Sequence, residues 1–350
     1  HLPLALTQSV ALAQRCHVSL DFSQQRLPTF PTPHQQSEFA YLYELCHDRL
    51  PARYPRLAPT VLKQLAHELD IIERAGLAGY FLIVWDIVRF AREQGIRCQG
   101  RGSAANSLVA YLLGITSIDP LQHHLLFERF LSEDKFTMPD IDIDFAADRR
   151  EEVIQYVYQR YGAAHTAMVC NVVTYGARSA VRDLGKALGF PDPVIDRLAK
   201  GLDPHTPTTA AAGIEAEIDG EAPPHHPLRL LAELLRQIEG CPRHLSIHSG
   251  GMLITGAPLH ELVPLEPATM PGRIVCQWDK ESVEDAGLIK IDLLSLRTLG
   301  MITEALQTIG DDAPDLHAIP LDDPAIYAML QAGDTIGAFQ VESRAQQQML

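Results

Sequence analysis

Three aspartates fall at every second position of MPDIDIDF, residues 138–145: Asp140, Asp142 and Asp144. Alternation is the period of a β-strand. It would set Asp140 and Asp142 about 7 Å apart at the backbone on one face, with Ile141 and Ile143 on the other. Carboxylates at about 4 Å repel by roughly 1 kcal/mol in water and roughly 4 kcal/mol near a protein surface. Such a pattern calls for water, protonation or a cation to absorb the charge, and a divalent metal fits. A calcium loop counted from Asp140 has acids at its first, third, fifth and ninth positions (Asp148) and Glu151 at its twelfth. Its sixth position, which wants glycine for a sharp turn, is Phe145, and the isoleucines favour an extended strand.

A further acid comes in IKIDLL, where Lys290 and Asp292 would share one strand face and Ile289, Ile291 and Leu293 the other. Alone this reads as a buried ion pair or an edge strand. Paired with the first motif, a neighbouring strand would bring Asp292 beside Asp140 and Asp142. Three carboxylates around two divalent ions suit in-line attack at phosphorus. GRGSAANSLVAYLLG adds a glycine-serine turn: Gly100 and Gly102 allow close backbone approach, Ser103 offers a hydroxyl at a helix start, and Arg101 adds charge. The turn is either a phosphate cradle or a plain serine cap. Arg178, Arg182 and Lys186 recur every four residues as one helix stripe that no acid interrupts, Asp183 lying off it, which suits a solvated face or a phosphodiester backbone. Arg129 and Lys135 precede the aspartate strand. His244 and His248 in RHLSIHSGG are four apart beside glycines, and structural hydrogen bonding fits them better than a metal pair.

These groups need elements to hold them. SEFAYLYELCHDRL, PTVLKQLAHELDIIERAG and AGYFLIVWDIVRFAREQG each carry apolar residues three and four apart, the helical period. IRCQG is strand-like, PDIDIDFA is a strand, and RREEVIQYVYQRYG is a helix that Gly162 would end. TYGARSAVRDLGKALGF and LRLLAELLRQIEG are helices. Between them, residues 203–227 are rich in Pro, Ala and Thr and read as a mobile loop or subdomain tip. GGMLITG, RIVCQWD and GLIKIDLL return to strand. Helices, strands, a helical insertion and further strands predict an α+β fold whose sheet is completed by a later piece of chain.

The 350 residues are 46% hydrophobic, ample for a sizeable core in two or three domains. No apolar run approaches the roughly 20 residues of a bilayer span, and the first residues lack the basic start and long apolar stretch of a signal sequence. The expected location is the cytoplasm, with no membrane partner. A first residue of His instead of Met suggests a processed or excised piece. Six scattered cysteines read as reduced thiols. The formal charge of −15 argues against a general coat of basic groups for nucleic acid, so any such contact must be local.

In order, GRGSAANSLVAYLLGITSIDP, LLFERFLSEDKFTMPDIDIDF, GLIKIDLLSLRTL and IGAFQVESRAQQQM resemble the palm and early fingers of the C-family bacterial DNA polymerases, the alpha subunit of DNA polymerase III and its paralogues. The resemblance runs from about residue 36 onward. It implies a polymerase-beta-like nucleotidyltransferase palm interrupted by a helical thumb. The boundaries it implies are a connector at 1–35, palm at 36–172, thumb at 173–246, palm again at 247–297 and the start of the fingers at 298–350. By resemblance Asp140, Asp142 and Asp292 bind two catalytic Mg2+ ions, for which Mn2+ can substitute, and Asp144 supports them. Arg101, Gly102, Ser103, Arg129 and Lys290 match positions near the incoming triphosphate, and Arg178, Arg182 and Lys186 would be thumb surface facing DNA. RHLSIHSGGMLIT and VTYGARSAVRDLGKALG are similar to the error-prone, damage-tolerant paralogue. Implied partners are primer-template DNA and deoxynucleoside triphosphates, with a sliding clamp and accessory mutagenesis proteins bound through regions of the family outside this sequence. The fragment alone is expected to be an incomplete enzyme. Alternatives are the replicative alpha subunit, another magnesium nucleotidyltransferase or phosphodiesterase, and a metal- or DNA-binding fragment without turnover.

Overall fold

A computed structural model describes residues 3–17, 28–131, 139–201, 206–218, 223, 226–316, 319–320 and 322–350. The strands are β1 (Cys98–Arg101), β2 (Asp142–Ala146), β3 (Thr166–Thr174), β4 (Pro242–Ile254), β5 (Leu265–Pro267), β6 (Ile274–Cys276) and β7 (Lys290–Leu296). With the helices they make the α+β class expected. The chain divides into two compact units: residues 1–166, 249–258 and 289–350 form one, and residues 167–248 and 259–288 the other.

In the first unit, β1 runs antiparallel to β2, β2 parallel to β7, and β7 antiparallel to the end of β4. Behind this sheet lies the helix Ala78–Glu93, buried from Ala78 through Val88, as its apolar run on every face requires. It packs against the helices Glu38–Arg53 and Arg150–Tyr161. The latter ends where Gly162 takes φ +89, as the sequence predicted. Ser37 caps Glu38–Arg53 through the Ala40 amide, and Pro59 opens the helix Pro59–Arg74. Pro3–Ala13, within the stretch read as connector, is helical.

The second unit packs the helices Ala177–Ala187, Asp192–Gly201, Pro207–Ala216 and Pro227–Ile238 around Ala180, Val181, Leu198, Ile214, Leu231 and Leu235. Beside them β3 pairs with β6 in parallel, and β6 with β5 antiparallel. Of the two readings of 203–227, a mobile loop or a subdomain tip, the helix Pro207–Ala216 corrects the first over its own length. Thr206 caps it by accepting from the Thr209 amide, Pro207 presets its first turn, and its alanines favour helix. The six cysteines are free, with Cys46, Cys170 and Cys276 buried. Among the described residues no helix is long and apolar enough to cross a membrane.

Candidate active site

The parallel register of β2 and β7 sets Asp142 directly opposite Asp292. Asp140 precedes β2, so it reaches the site from a coil residue and not from the strand that alternation predicted. The hydroxyl of Tyr80, fully buried in Ala78–Glu93, holds this approach. It donates to the Pro139 carbonyl (2.9 Å) and accepts from the Ile141 amide (3.2 Å), fixing the backbone on both sides of Asp140. Carboxylate oxygens of Asp140, Asp142 and Asp292 then all lie within 4.8 Å of one another. Among the described residues no other group of three or more His, Cys, Asp or Glu side chains gathers in this way.

Lys290, two residues before Asp292 on β7, is only 4% exposed at its side chain. Its ammonium donates to Asp140 (3.2 and 3.4 Å) and to Asp292, instead of being presented to solvent. Burial works against its charge, but the hydrogen bond and charge of Asp292, with Asp140, outweigh it and hold Lys290 above the ordinary lysine value. Burial, then repulsion from Asp140 and Asp292, raises the Asp142 carboxyl above the usual aspartate range, while Arg101 and Lys290 pull it down. Three carboxylates against one ammonium leave the site negative. Clustered hard oxygen donors of this kind fit a divalent cation such as Mg2+ or Mn2+.

Asp144 stands apart. Burial raises its carboxyl, and its partner is the Arg101 guanidinium at 3.4 Å, which also lies 4.0 Å from Asp142. Gly102 turns the chain at φ +66, and a Cβ there would lie 3.8 Å from the Asp142 carboxylate. That contact is ordinary, so it is the left-handed conformation that suits glycine. Ser103 donates to the Asp140 carbonyl (3.2 Å), so the glycine-serine turn packs onto the aspartates. Arg129 is exposed on the turn Phe127–Arg129, which packs against Gly102–Asn106.

The helix after this turn starts later than expected. Gly102–Asn106 is a 3-10 turn, and the α-helix is Leu108–Leu112, capped by Ser107 rather than begun at Ser103. Its first amides are taken by Glu68, from Pro59–Arg74. Leu108 and Val109 donate to the two Glu68 oxygens at 2.9 and 3.0 Å, and the Ser107 hydroxyl donates at 2.9 Å. These two N–H groups are therefore already occupied by the Glu68 carboxyl. Burial raises the Glu68 carboxyl, and hydrogen bonds from Gln64, Leu108, Val109 and Ser107 oppose that rise. Tyr80 and Glu68 are the residues that spacing did not single out. Their only signal was a hydroxyl and a carboxylate inside strongly apolar helical stretches, where each must find a partner.

The calcium loop is excluded by geometry. Asp142–Ala146 is paired on both edges, and Glu151 lies in the helix Arg150–Tyr161. In the second unit, Arg178, Arg182 and Lys186 are exposed on Ala177–Ala187, with Arg182 paired to Asp196 at 2.6 Å. His244 and His248 lie on β4, and His244 is exposed with its ring nitrogen 3.3 Å from Arg243. Lys135 falls outside the described residues.

The family described as Bacterial DNA polymerase III alpha NTPase domain matches residues 40–295, and the Bacterial DNA polymerase III alpha subunit finger domain matches residues 296–350. The chain is 47% identical over 347 residues to an error-prone DNA polymerase of Symbiobacterium thermophilum, covering 98% of this chain and 32% of that protein. It is 50% identical over 327 residues to the error-prone DNA polymerase of Anaeromyxobacter dehalogenans strain 2CP-C, covering 88% and 28%. For that of Methylococcus capsulatus the figures are 46% over 351 residues, 99% and 33%. The chain thus spans about a third of the length of the curated relatives it matches.

Proposed function

Because the chain belongs to the bacterial DNA polymerase III alpha family, we propose that it carries the catalytic aspartates of a DNA-directed DNA polymerase working in error-prone synthesis past damaged template. The observation that carries this is the convergence of Asp140, Asp142 and Asp292 from two parallel neighbouring strands and the coil before one of them. In this reading the primer 3′-hydroxyl attacks the alpha phosphate of a deoxynucleoside triphosphate and pyrophosphate leaves. Asp140, Asp142 and Asp292 would hold the divalent cations, Mg2+ or Mn2+, which lower the pKa of the attacking hydroxyl and steady charge on the phosphate.

The chain's own groups do the positioning. Lys290 holds Asp140 and Asp292 together against their repulsion. Arg101 bridges Asp144 and Asp142, and its half-exposed guanidinium, with Gly102, Ser103 and Arg129, is assigned to the triphosphate. We assign the first unit to palm with the start of the fingers, and the helices of the second to the thumb, with Arg178, Arg182 and Lys186 on DNA phosphates. For the whole protein we propose primer-template DNA and deoxynucleoside triphosphates as substrates, a sliding clamp and accessory mutagenesis proteins as partners, and the cytoplasm as its place.

The test is titration of Mg2+ or Mn2+ into the 350-residue chain with primer-template DNA and a nonhydrolysable triphosphate, comparing wild type with Asp140→Asn, Asp142→Asn and Asp292→Asn. All three should weaken the same metal-dependent triphosphate binding by about tenfold or more, while DNA affinity is largely retained. A normal Asp292→Asn would break the three-aspartate site, and with it this function.

A further inference from the structure

In the first unit, the C-terminal parts of Glu38–Arg53 and Ala78–Glu93 and the Leu112–Gly114 turn line a half-open cavity of about 290 Å³. Its walls include Arg49, Arg53, Arg89, Arg92 and Trp85, and Glu93 is the carboxylate among its lining residues. Arg89 is neutralised, with Asp86 at 2.6 Å and Glu93 at 3.0 Å. Asp86 itself is buried and shared with Arg160 (3.4 Å), Tyr156 and Tyr161, so it has nothing left for the other arginines.

The remaining three are oriented without being neutralised. Arg49 donates to the Leu45 carbonyl and lies 5.4 Å over the Trp85 ring. Arg53 stacks 4.5 Å over Tyr111, and Arg92 donates to the Gly114 carbonyl. Among the described residues none of these three pairs with a carboxylate. Helix ends favour one arginine each, since their carbonyls carry partial negative charge. That preference does not account for four on one cavity in a chain of formal charge −15. Like charges this close repel, and ring faces and carbonyls leave most of each guanidinium's five donors unused. Planar donors held in place beside an aromatic wall are suited to a phosphate oxyanion.

We propose that this cavity binds a phosphate group, with Arg53 and Arg92 as its main ligands and Arg49 against Trp85 as its wall. The volume leaves room for a phosphate or two, and the cavity is half open to solvent. The source is either the backbone of a nucleic-acid strand or a free polyphosphate. No residue of the aspartate site takes part, so the inference stands apart from the polymerase reading.

The experiment uses the 350-residue chain carrying Asp142→Asn, in EDTA at low salt, so that metal-dependent binding at the aspartates contributes nothing. The probes are inorganic tripolyphosphate, by calorimetry, and a fluorescent single-stranded oligodeoxynucleotide, by anisotropy. Arg53→Gln and Arg92→Gln should each weaken binding about tenfold, the loss of one charge-assisted contact. Arg74→Gln, an exposed arginine beside Asp70, should change it less than about twofold. Oligonucleotide binding that tripolyphosphate displaces supports the strand backbone; tripolyphosphate binding alone supports the free source. Wild-type affinity in Arg53→Gln, or no binding of either probe, overturns the proposal. Arg53→Lys keeps charge but loses the fork, so it should bind more weakly than arginine, and equal binding would also count against it.

Discussion

Replacing Lys290 with methionine removes a buried cation and little volume. The side chain is 4% exposed, its ammonium lies 3.2 Å from Asp140 and in contact with Asp292, and those carboxylate side chains are 45% and 9% exposed. Breaking a buried pair by deleting one partner costs about 3–5 kcal/mol. Asp140 is half in water, so its share is screened and the lower end of that range applies. About 3 kcal/mol corresponds to a melting-point loss of roughly 6–12 °C for a unit of this size. The deficit should depend on charge. Lys290 is one of the groups that pull the Asp142 carboxyl down, so its removal drives that carboxyl further above its unfolded value. A carboxylate raised in the folded state destabilises when ionised, and stability returns as pH falls through the folded pKa. The gap between variant and wild type should therefore narrow toward acid. Mn2+ stabilises both proteins, so it should narrow the gap by the ratio of their affinities, about 1.4 kcal/mol if the variant binds tenfold more tightly. The assay is thermal melting in EDTA and in Mn2+ across pH. A variant as stable as wild type in EDTA, or a deficit indifferent to both pH and Mn2+, would refute the reading of Lys290 as the internal counter-charge of the three aspartates.

Glu68→Gln leaves one carbonyl oxygen where two carboxylate oxygens accept the Leu108 and Val109 amides. One of those amides should exchange with solvent faster, by a local loss of about 1–3 kcal/mol. Unchanged exchange at both would remove Glu68 as the anchor of the helix Leu108–Leu112. For the wild type, the Asp142 carboxyl sits above the usual aspartate range. Divalent affinity measured by calorimetry should begin to fall with acid above that range, because proton and cation compete for the same oxygens. Constant affinity down to about pH 4 would contradict the shared site.

Helical periodicity made the long elements readable. Leu65, Leu69 and Ile72 of Pro59–Arg74 line one buried face, and Arg150–Tyr161 stops at Gly162, both as spacing and end signals required. The helix Pro207–Ala216 was hidden because proline and threonine mark a loop and a helix start equally well. Only burial of Ala210, Ala211 and Ile214 among neighbouring helices distinguishes the two. Tyr80 and Glu68 were hidden for another reason. Each acts through a hydrogen bond across about 40 to 60 positions, and spacing along a helix carries no trace of such a partner. The clustering of Asp292 with Asp140 and Asp142 was legible only as an option, since no local pattern says which strand lies beside which.

Strand register then explains why three aspartates in alternation do not play one part. Asp142 and Asp144 share a face of β2, and Asp140 precedes the strand. Across β7, Asp142 meets Asp292 while Asp144 meets Leu294; across β1, Asp142 meets Arg101 and Asp144 meets Gln99. Asp144 therefore has the Arg101 guanidinium at 3.4 Å and no opposing carboxylate. Asp142 has a carboxylate opposite and another before it, a charge excess that a cation would relieve. A slip of β7 by one residue would turn Asp292 to the other face and leave Asp142 opposite an apolar side chain. Lys290 shares the face of Asp292, two positions earlier, and is carried with it in register, so the same pairing that concentrates the negative charge also delivers the ammonium that keeps it bearable.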